Sequence, residues 1–142
     1  MLQLAKVFHF EMAHAIHGYE GPCKNIHGHS YELQVTVSSV HRHSDFIPAP
    51  GFIVDFKELK QLVTASIIKM LDHKLVLSAA YIREHPTVAL MENLITWQVE
   101  PTAENLLLYI QKTLAANMPD TVRLSELKLY ETKDSFAKWV DR

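Results

Sequence analysis

Two histidines that flank a glycine, His27 and His29, are the residues whose spacing points most directly to chemistry. Successive side chains of an extended strand point to opposite faces, so imidazoles at positions i and i+2 emerge on the same face, close together. That geometry suits two ligands of one metal ion. The alternative is a pair of ordinary strand histidines, and the His-Gly-His pattern alone does not separate the two interpretations.

A third histidine, His14, ends a segment of alternating apolar residues, 7–14. A second alternating segment spans 27–37, and its apolar face continues the face of the His-Gly-His pair. If the two strands pair antiparallel around the loop 15–26, the end of the first lies beside the beginning of the second. Three imidazoles then converge on the apolar side of the sheet, where an unpaired imidazole loses hydration. A three-histidine set with one open coordination position is typical of catalytic zinc.

The single cysteine, Cys23, lies in the loop that closes this predicted metal site. A lone cysteine is more often a small buried hydrophobe than a reactive group. A nearby divalent cation favours the thiolate, however, and a thiolate beside a metal can act as a general base. Such a base needs a relay, and Asp72 followed by His73 is a pair in which a carboxylate can orient an imidazole. The same two residues can equally mark only the end of a helix.

Glu131 lies near the C-terminus, at the end of a predicted strand. A glutamate in that position is usually only solvated. In a pocket, its two carboxylate oxygens could accept paired hydrogen bonds from the amino and ring N–H groups of a pterin or a guanine. A buried Glu131 would therefore be an anchor for a purine or pterin ring.

Two helices are predicted from hydrophobic periodicity. Asp55 with Glu58 has the pattern of a capping box and begins a helix over 55–71. The apolar stripe of this helix consists of Leu59, Leu62, Val63, Ser66, Ile67 and Met70. Thr102 is the predicted N-cap of the second helix, which ends before Pro119. Its stripe consists of Leu106, Leu107, Ile110 and Leu114.

The remaining chain is predicted as loops and strands. Residues 38–51 have turn chemistry and no period, and residues 72–101 are hard to interpret except for a possible short strand within 94–99. Two closing strands alternate over 124–130 and 135–140. The order ββααββ predicts an α+β domain in which two helices pack on one face of a four-stranded antiparallel sheet. Its open edges suggest pairing with other copies of the chain.

Composition sets the general class. A chain of 142 residues with 48% hydrophobic and 21% charged residues predicts one domain, 1–142. The formal net charge of −2 gives no basic field for nucleic acid or an anionic membrane. No stretch approaches the ~20 apolar residues that span a bilayer, and the N-terminus lacks the apolar run of a signal peptide. We therefore expect a cytoplasmic protein with no nucleic-acid or membrane partner.

Taken together, the motifs resemble the 6-pyruvoyl-tetrahydropterin synthase family, specifically its bacterial 6-carboxy-tetrahydropterin synthase branch, which acts in making the 7-deazaguanine precursor of queuosine. The matching segments occur in family order and span nearly the whole chain: 8–14, 23–31, 51–60, 71–73, 101–105 and 129–132. The three-residue gap between Cys23 and His27 resembles the bacterial branch and favours the carboxy product. Residues 81–96 look like an insertion, which bears on how the substrate and its triphosphate are held.

The resemblance implies a role for each candidate residue. His14, His27 and His29 match the zinc ligands, Cys23 the general base, Asp72 and His73 its relay, Glu131 the pterin-anchoring carboxylate, and Thr102 and Glu104 further substrate-binding residues. The implied fold is the tunnelling fold, in which ββααββ subunits join edge to edge into a barrel with active sites between subunits. A homo-oligomer, trimer-based or hexameric, is therefore expected.

The implied reaction converts 7,8-dihydroneopterin triphosphate to 6-carboxytetrahydropterin, acetaldehyde and triphosphate, with Zn²⁺ as the cofactor. Three alternatives stay open at this point. The chain could be a 6-pyruvoyl-tetrahydropterin synthase, an enzyme that cleaves dihydroneopterin to 6-hydroxymethyl-dihydropterin, or a non-catalytic homologue that binds zinc or a pterin. The identity of the product separates them.

Overall fold

Six strands form one mixed sheet in the computed structural model, which describes residues 1–142. The strands are β1 (Gln3–His14), β2 (His27–Ser39), β3 (Lys74–Ser78), β4 (Leu94–Trp97), β5 (Val122–Thr132) and β6 (Ser135–Val140). Their order across the sheet is β4-β3-β1-β2-β5-β6. The pairs β1–β2, β2–β5 and β5–β6 are antiparallel, whereas β3 pairs parallel with both β1 and β4.

The predicted antiparallel arrangement is correct for β1, β2, β5 and β6, but the predicted count of four strands is wrong. β3 and β4 extend the sheet beyond β1 as a parallel pair. β3 is only five residues long, and its apolar run is the three residues Leu75 to Leu77. A short apolar run without alternation cannot be distinguished from a piece of buried helix by its period, which is why the sequence did not reveal β3.

The helices are α1 (Phe56–Val63), α2 (Lys69–Leu71), α3 (Ala79–Glu84) and α4 (Ala103–Ala115), with 3₁₀ turns at Pro22–Lys24 and Pro86–Leu90. A π-helical segment, Thr64–Ile68, joins α1 to α2, so the predicted helix over 55–71 is confirmed as one continuous element. The Asp55 carboxylate accepts a hydrogen bond from the backbone N–H of Lys57 at 2.8 Å. No helix has the length and apolar character needed to cross a membrane.

The π-helical segment changes which side chains of this first helical element face the core. Leu59, Val63, Ile67 and Leu71 are buried, whereas Met70 is 52% exposed, so its predicted place in the apolar stripe is wrong. Positions four apart drift by about 40° per step in an ideal α-helix. A π-helical turn holds more residues and counteracts that drift, so a four-residue spacing stays on one face.

The main core lies between one face of the sheet and the helices α1 and α4. The alternation predicted for β1 and β2 is confirmed, because Phe8, Phe10, Tyr31, Leu33 and Val35 are all buried on that face. α4 contributes the predicted stripe of Leu106, Leu107, Ile110 and Leu114. A second, smaller cluster of Ala15, Leu75, Leu77 and Tyr81 packs α3 against the β3 edge on the other face.

Candidate active site

Strand pairing brings three imidazoles together at one end of β1 and β2. In the antiparallel register His14 lies directly opposite His27, and Met12 lies opposite His29. The Nε2 atoms of His14 and His27 are 3.1 Å apart. One ring nitrogen from each of the three histidines lies within 4.8 Å of the others. The convergence expected from antiparallel pairing is therefore present in the structure.

In two of these imidazoles, the Nδ1 atom lies within hydrogen-bond distance of a backbone carbonyl oxygen. Nδ1 of His14 lies 2.6 Å from the carbonyl oxygen of Pro101, and Nδ1 of His27 lies 2.7 Å from that of Asn25. A carbonyl oxygen only accepts, so each Nδ1 carries the proton and, in a neutral ring, each Nε2 is an acceptor. Two acceptors then face each other across 3.1 Å. A cation bound between them satisfies both, so the donor set fits a metal ion.

Burial lowers the pKa of two of the histidines, His14 and His29, and so favours their neutral form. Burial lowers the pKa of His14, although its contact with the Pro101 carbonyl and the nearby Glu131 carboxylate oppose the shift. Burial also lowers the pKa of His29, again against the effect of Glu131. Because only a neutral imidazole can donate a lone pair to a metal, the surroundings prepare both rings for coordination.

Glu131 lies beside this cluster. Its Oε1 is 3.6 Å from Nε2 of His14 and 3.8 Å from Nε2 of His29. The Glu131 side chain is 27% exposed. The simple interpretation of a fully solvated glutamate at a strand end is therefore wrong, because the carboxylate reaches into the site from the end of β5.

Tyr31 is not among the candidate site residues identified from the sequence, but the structure places it at the histidine cluster as well as in the core. Its ring stacks on Phe10 with centroids 5.0 Å apart, and it meets the ring of His29 edge-on at 5.5 Å. Burial and the Glu131 carboxylate raise the pKa of Tyr31, so its hydroxyl is a neutral O–H group. Its position two residues after His29, on the same strand face, is the signal that could have found it.

The predicted thiol and substrate-binding residues share a cavity with His14, one member of the histidine cluster. This cavity has a volume of about 340 Å³, within the usual range of small-molecule sites. It is lined by His14, Ile16, Tyr19, Cys23, Thr102, Ala103, Glu104 and Glu131. Cys23 is exposed, so the interpretation of a buried structural cysteine is wrong. The backbone N–H of Ile16 donates to the carbonyl of Cys23 at 2.9 Å, which holds the loop against the end of β1.

The start of α4 forms one wall of the same cavity. The Thr102 hydroxyl accepts a hydrogen bond from the backbone N–H of Asn105 at 3.2 Å, so Thr102 is the N-cap, as predicted. Glu104 lies in the first turn of the helix. Pro101, the residue before the N-cap Thr102, supplies the carbonyl oxygen that orients His14. The end of β1 and the start of α4 are thereby tied together at the histidine cluster.

Asp72 and His73 lie elsewhere in the chain. His73 lines a separate cavity of about 320 Å³, together with His29, and this cavity has no lining residue in common with the cavity of Cys23. The Asp72 carboxylate lies 3.0 Å from Nδ1 of His73 and accepts a hydrogen bond from the backbone N–H of Glu11 at 2.8 Å. The Glu11 N–H and, secondarily, His73 hold the pKa of Asp72 below its usual range. Within one chain, the structure therefore does not bring this pair to the thiol.

His73 has an unusual backbone conformation. Its φ is 61°, in the left-handed region that non-glycine residues rarely adopt. Its backbone N–H donates to the carbonyl of Glu11 at 2.6 Å, and its side chain is 79% exposed. A strained conformation costs roughly 1–3 kcal/mol and often occurs at functional sites. The conformation therefore marks His73 as a residue to consider in the site's chemistry.

Comparisons with known proteins agree with this geometry. The family model for 6-pyruvoyl tetrahydropterin synthase matches residues 3–141. The chain is 32% identical to the 6-carboxy-5,6,7,8-tetrahydropterin synthase of Haemophilus influenzae, over 98% of this chain and 99% of that protein. It is 30% identical to the dihydroneopterin monophosphate aldolase of Pyrococcus furiosus, over 86% of this chain and 82% of that protein.

The fold is also shared with a solved structure. The 6-pyruvoyl tetrahydropterin synthase of Caenorhabditis elegans superposes with a TM-score of 0.71 at 18% identity, over 99% of this chain and 96% of that one. This likeness confirms the predicted tunnelling fold for the single chain. The match over nearly the whole sequence likewise confirms the resemblance inferred from the motifs. The chain belongs to the 6-pyruvoyl tetrahydropterin synthase family, a family of lyases.

Proposed function

We propose that this protein is a zinc-dependent 6-carboxy-5,6,7,8-tetrahydropterin synthase of queuosine and 7-deazaguanine biosynthesis. It would convert 7,8-dihydroneopterin triphosphate to 6-carboxytetrahydropterin, acetaldehyde and triphosphate, acting in the cytoplasm as a homo-oligomer. The observation that carries the proposal is the pair of acceptor nitrogens of His14 and His27, 3.1 Å apart, with His14 lining a cavity that also holds the exposed thiol of Cys23 and the carboxylate of Glu131. The name of the Haemophilus influenzae relative supports the carboxy product.

His14, His27 and His29 would hold the zinc. A bound zinc supplies Lewis-acid polarisation of the hydroxyl oxygens on the substrate side chain. Glu131 would accept paired hydrogen bonds from the amino and ring N–H groups of the pterin and so fix the ring. Thr102 and Glu104, which line the same wall, would complete the ring site.

Cys23 would act as the general base. Its exposed sulfur lines the cavity, and a ring fixed by Glu131 would present the substrate side chain, with its carbon-bound proton, to the thiolate. The proton removed by sulfur would then leave through an imidazole whose orientation is set by a carboxylate. Asp72 and His73 have that arrangement, with 3.0 Å between the carboxylate and Nδ1.

The relay would reach the thiol from a neighbouring copy. His73, which pairs with Asp72, lines a cavity separate from that of Cys23 in the same chain, and the His73 ring is exposed. The strand β4 at one edge of the sheet and the strand β6 at the other each have one unpaired side. Edge-to-edge association through these strands would bring one chain's relay to the next chain's thiol. The proposed assembly is trimer-based or hexameric.

Product identification tests the proposal. Zinc-loaded protein is incubated with 7,8-dihydroneopterin triphosphate, and the products are identified by mass. Acetaldehyde together with 6-carboxytetrahydropterin is the expected result. A pyruvoyl side chain would instead make the protein a 6-pyruvoyl-tetrahydropterin synthase, and an unchanged substrate would indicate a non-catalytic homologue.

A second candidate is favoured by the Pyrococcus furiosus relative, which is named an aldolase. An aldolase would cleave the side chain to 6-hydroxymethyl-dihydropterin and would leave the phosphate on the departing fragment. The same incubation, repeated with dihydroneopterin monophosphate, separates the two activities. Appearance of the hydroxymethyl product would replace the synthase assignment.

A further inference from the structure

Tyr31 lies against the histidine cluster, and the mechanism above gives its hydroxyl no role. The residue is fully buried, and its ring is fixed by the stack on Phe10. Its hydroxyl oxygen is the one buried side-chain polar atom of the chain without a hydrogen-bond partner. A buried hydroxyl without a partner loses its hydration and gains nothing in exchange. Such an atom in a candidate active site requires an explanation.

Glu131 lies beside Tyr31, because the antiparallel pairing of β2 with β5 sets Glu32 opposite Tyr130, and the neighbouring residues on the two strands are Tyr31 and Glu131. The hydroxyl and the carboxylate do not meet the geometry of a hydrogen bond in the structure. The same carboxylate lies 3.6 and 3.8 Å from the Nε2 atoms of His14 and His29. Ligand atoms on a tetrahedral zinc lie about 3.3 Å apart, given metal–ligand distances near 2 Å. Oε1 of Glu131 is therefore close to where a fourth metal ligand would lie, relative to two of the three histidines.

Glu131 consequently has two competing uses. As a fourth ligand it would close the coordination position that a catalytic zinc keeps open. As an anchor for the ring it must stay off the metal with its oxygens free for N–H donors. Electrostatics alone favours the first use, because a dication attracts a carboxylate more strongly than neutral N–H groups do.

We infer that Tyr31 is a positioning residue: when a metal is bound at the three histidines, its partnerless hydroxyl donates a hydrogen bond to Glu131 and holds the carboxylate off the metal. The ring cannot follow the carboxylate towards the metal, because Phe10 stacks on it at 5.0 Å with only 9° between the ring planes. The fourth metal position then stays open, and Glu131 stays available to the substrate. The benefit to the substrate rests on the proposed function, whereas the competition for Glu131 between hydroxyl and metal does not.

The experiment is a double-mutant cycle on zinc affinity, with Tyr31→Phe, Glu131→Gln and the double variant compared with the unmodified full-length chain. Zinc affinity is measured by competition with a chromogenic chelator. We expect Tyr31→Phe to bind zinc more tightly, on the order of tenfold, the scale at which groups around the metal's own ligands change affinity. The glutamine of Glu131→Gln is a poor zinc ligand, so Tyr31→Phe should have no effect in that background.

A spectroscopic measurement and a control variant accompany the cycle. The visible spectrum of the Co²⁺-substituted protein should change in Tyr31→Phe, as Glu131 enters the coordination sphere, and should not change in the double variant. Tyr109→Phe is the matched control. Tyr109 lies in α4, packs on Trp97 at the end of β4, and does not line the cavity of the site. This substitution should leave zinc affinity unchanged.

The outcomes separate this inference from the proposed function. Equal effects of Tyr31→Phe with and without Glu131, or no effect on affinity and spectrum, would overturn the positioning role whatever the product. Coupling between the two residues supports it even if the product carries a pyruvoyl group. In steady-state kinetics, Tyr31→Phe should raise KM by a larger factor than it lowers kcat, relative to the unmodified chain. The reason is that Glu131 must leave the metal before it can bind the pterin ring.

Discussion

Among single residues, His27 offers the cleanest test of the metal site. It is only partly buried, so truncation to alanine leaves the core intact. His27→Ala should weaken zinc binding by more than the 10- to 100-fold that loss of a group around the ligands costs. The melting temperature of the metal-free protein should change little. His9→Ala is the matched control, since His9 is exposed and pairs with Glu32 away from the cluster.

Metal content by atomic emission, together with chelator competition, measures the effect of His27→Ala. Stoichiometric zinc in that variant, with affinity equal to that of the unmodified chain, would remove His27 from the ligand set. Loss of zinc in His9→Ala as well would show that the binding is a general property of histidine-rich surfaces.

Cys23 tests the base independently of the metal. Its side chain is exposed and makes no hydrogen bond, so Cys23→Ala should keep both zinc and stability. A general base typically contributes 10²–10⁴-fold to a rate, and kcat should fall by roughly that factor. Single-turnover kinetics with the triphosphate substrate measures it. Full activity in the alanine variant would exclude the thiol from proton transfer.

The three histidines could be predicted because alternation along a strand and antiparallel pairing are rules about neighbours. The carbonyls of Pro101 and Asn25, which orient two of the rings, could not. Every residue carries a carbonyl, and only the course of the loops decides which one reaches an imidazole. The position of Glu131 beside the cluster could not be predicted either, because it depends on the pairing of β5 with β2, two strands that are far apart in the sequence.

For the first helical element, the π-helical segment makes a prediction about neighbouring side chains. Leu71 is 1% exposed and Met70 is 52% exposed, although a regular helical stripe would bury Met70. Leu71→Ala should lower the free energy of unfolding by about 2–5 kcal/mol, the usual cost of a buried leucine. Met70→Ala should change it by less than about 0.5 kcal/mol. Urea denaturation of both variants measures the difference, and equal losses would contradict the altered stripe.

The end of this helical element should respond to pH through Asp72. The Glu11 N–H and His73 lower the pKa of Asp72 in the folded chain relative to the unfolded value of 3.8. The unfolded state then binds the proton more readily, so the stabilisation by Asp72 is fully present above pH 3.8. It is lost as the pH falls through the lower, folded pKa. Asp72→Asn should lack this component.

Stability of Asp72→Asn and of the unmodified chain is compared by urea denaturation between pH 3 and pH 7. The difference between them should be constant near neutral pH and should shrink at the acid end. A difference that persists unchanged at the lowest pH would mean that the carboxylate charge does not stabilise the helix end.

The longer elements were predictable, since β1, β2, α4 and β5 each have a clear period and good terminal signals. The strand β3 was not, because it is short and its pairing depends on tertiary contacts such as the packing of Tyr81 in α3 with Leu75 and Leu77. The strand β4 lies within the possible short strand predicted over 94–99, but its parallel pairing with β3 was not predicted. Short elements of this kind carry too few residues for a period to be visible. The error in strand count therefore falls on the part of the sheet that is built by tertiary contacts alone.

For the whole molecule, the separation of the thiol from the relay predicts complementation between chains. Cys23→Ala and His73→Ala should each be nearly inactive, since each lacks one half of the proposed proton path. In oligomers formed by co-expressing the two variants at equal amounts, about a quarter of the sites would combine an intact thiol with a neighbour's intact imidazole. Activity should return to that fraction of the unmodified value.

The double variant Cys23→Ala/His73→Ala, co-expressed with Cys23→Ala, serves as the control and should restore nothing, because no thiol is present. Co-expressed single variants that stay as inactive as either alone, in oligomers shown by mass to contain both, would mean that base and relay do not meet across subunits. The exposed ring of His73 and the two unpaired edges of the sheet make recovery the expected result.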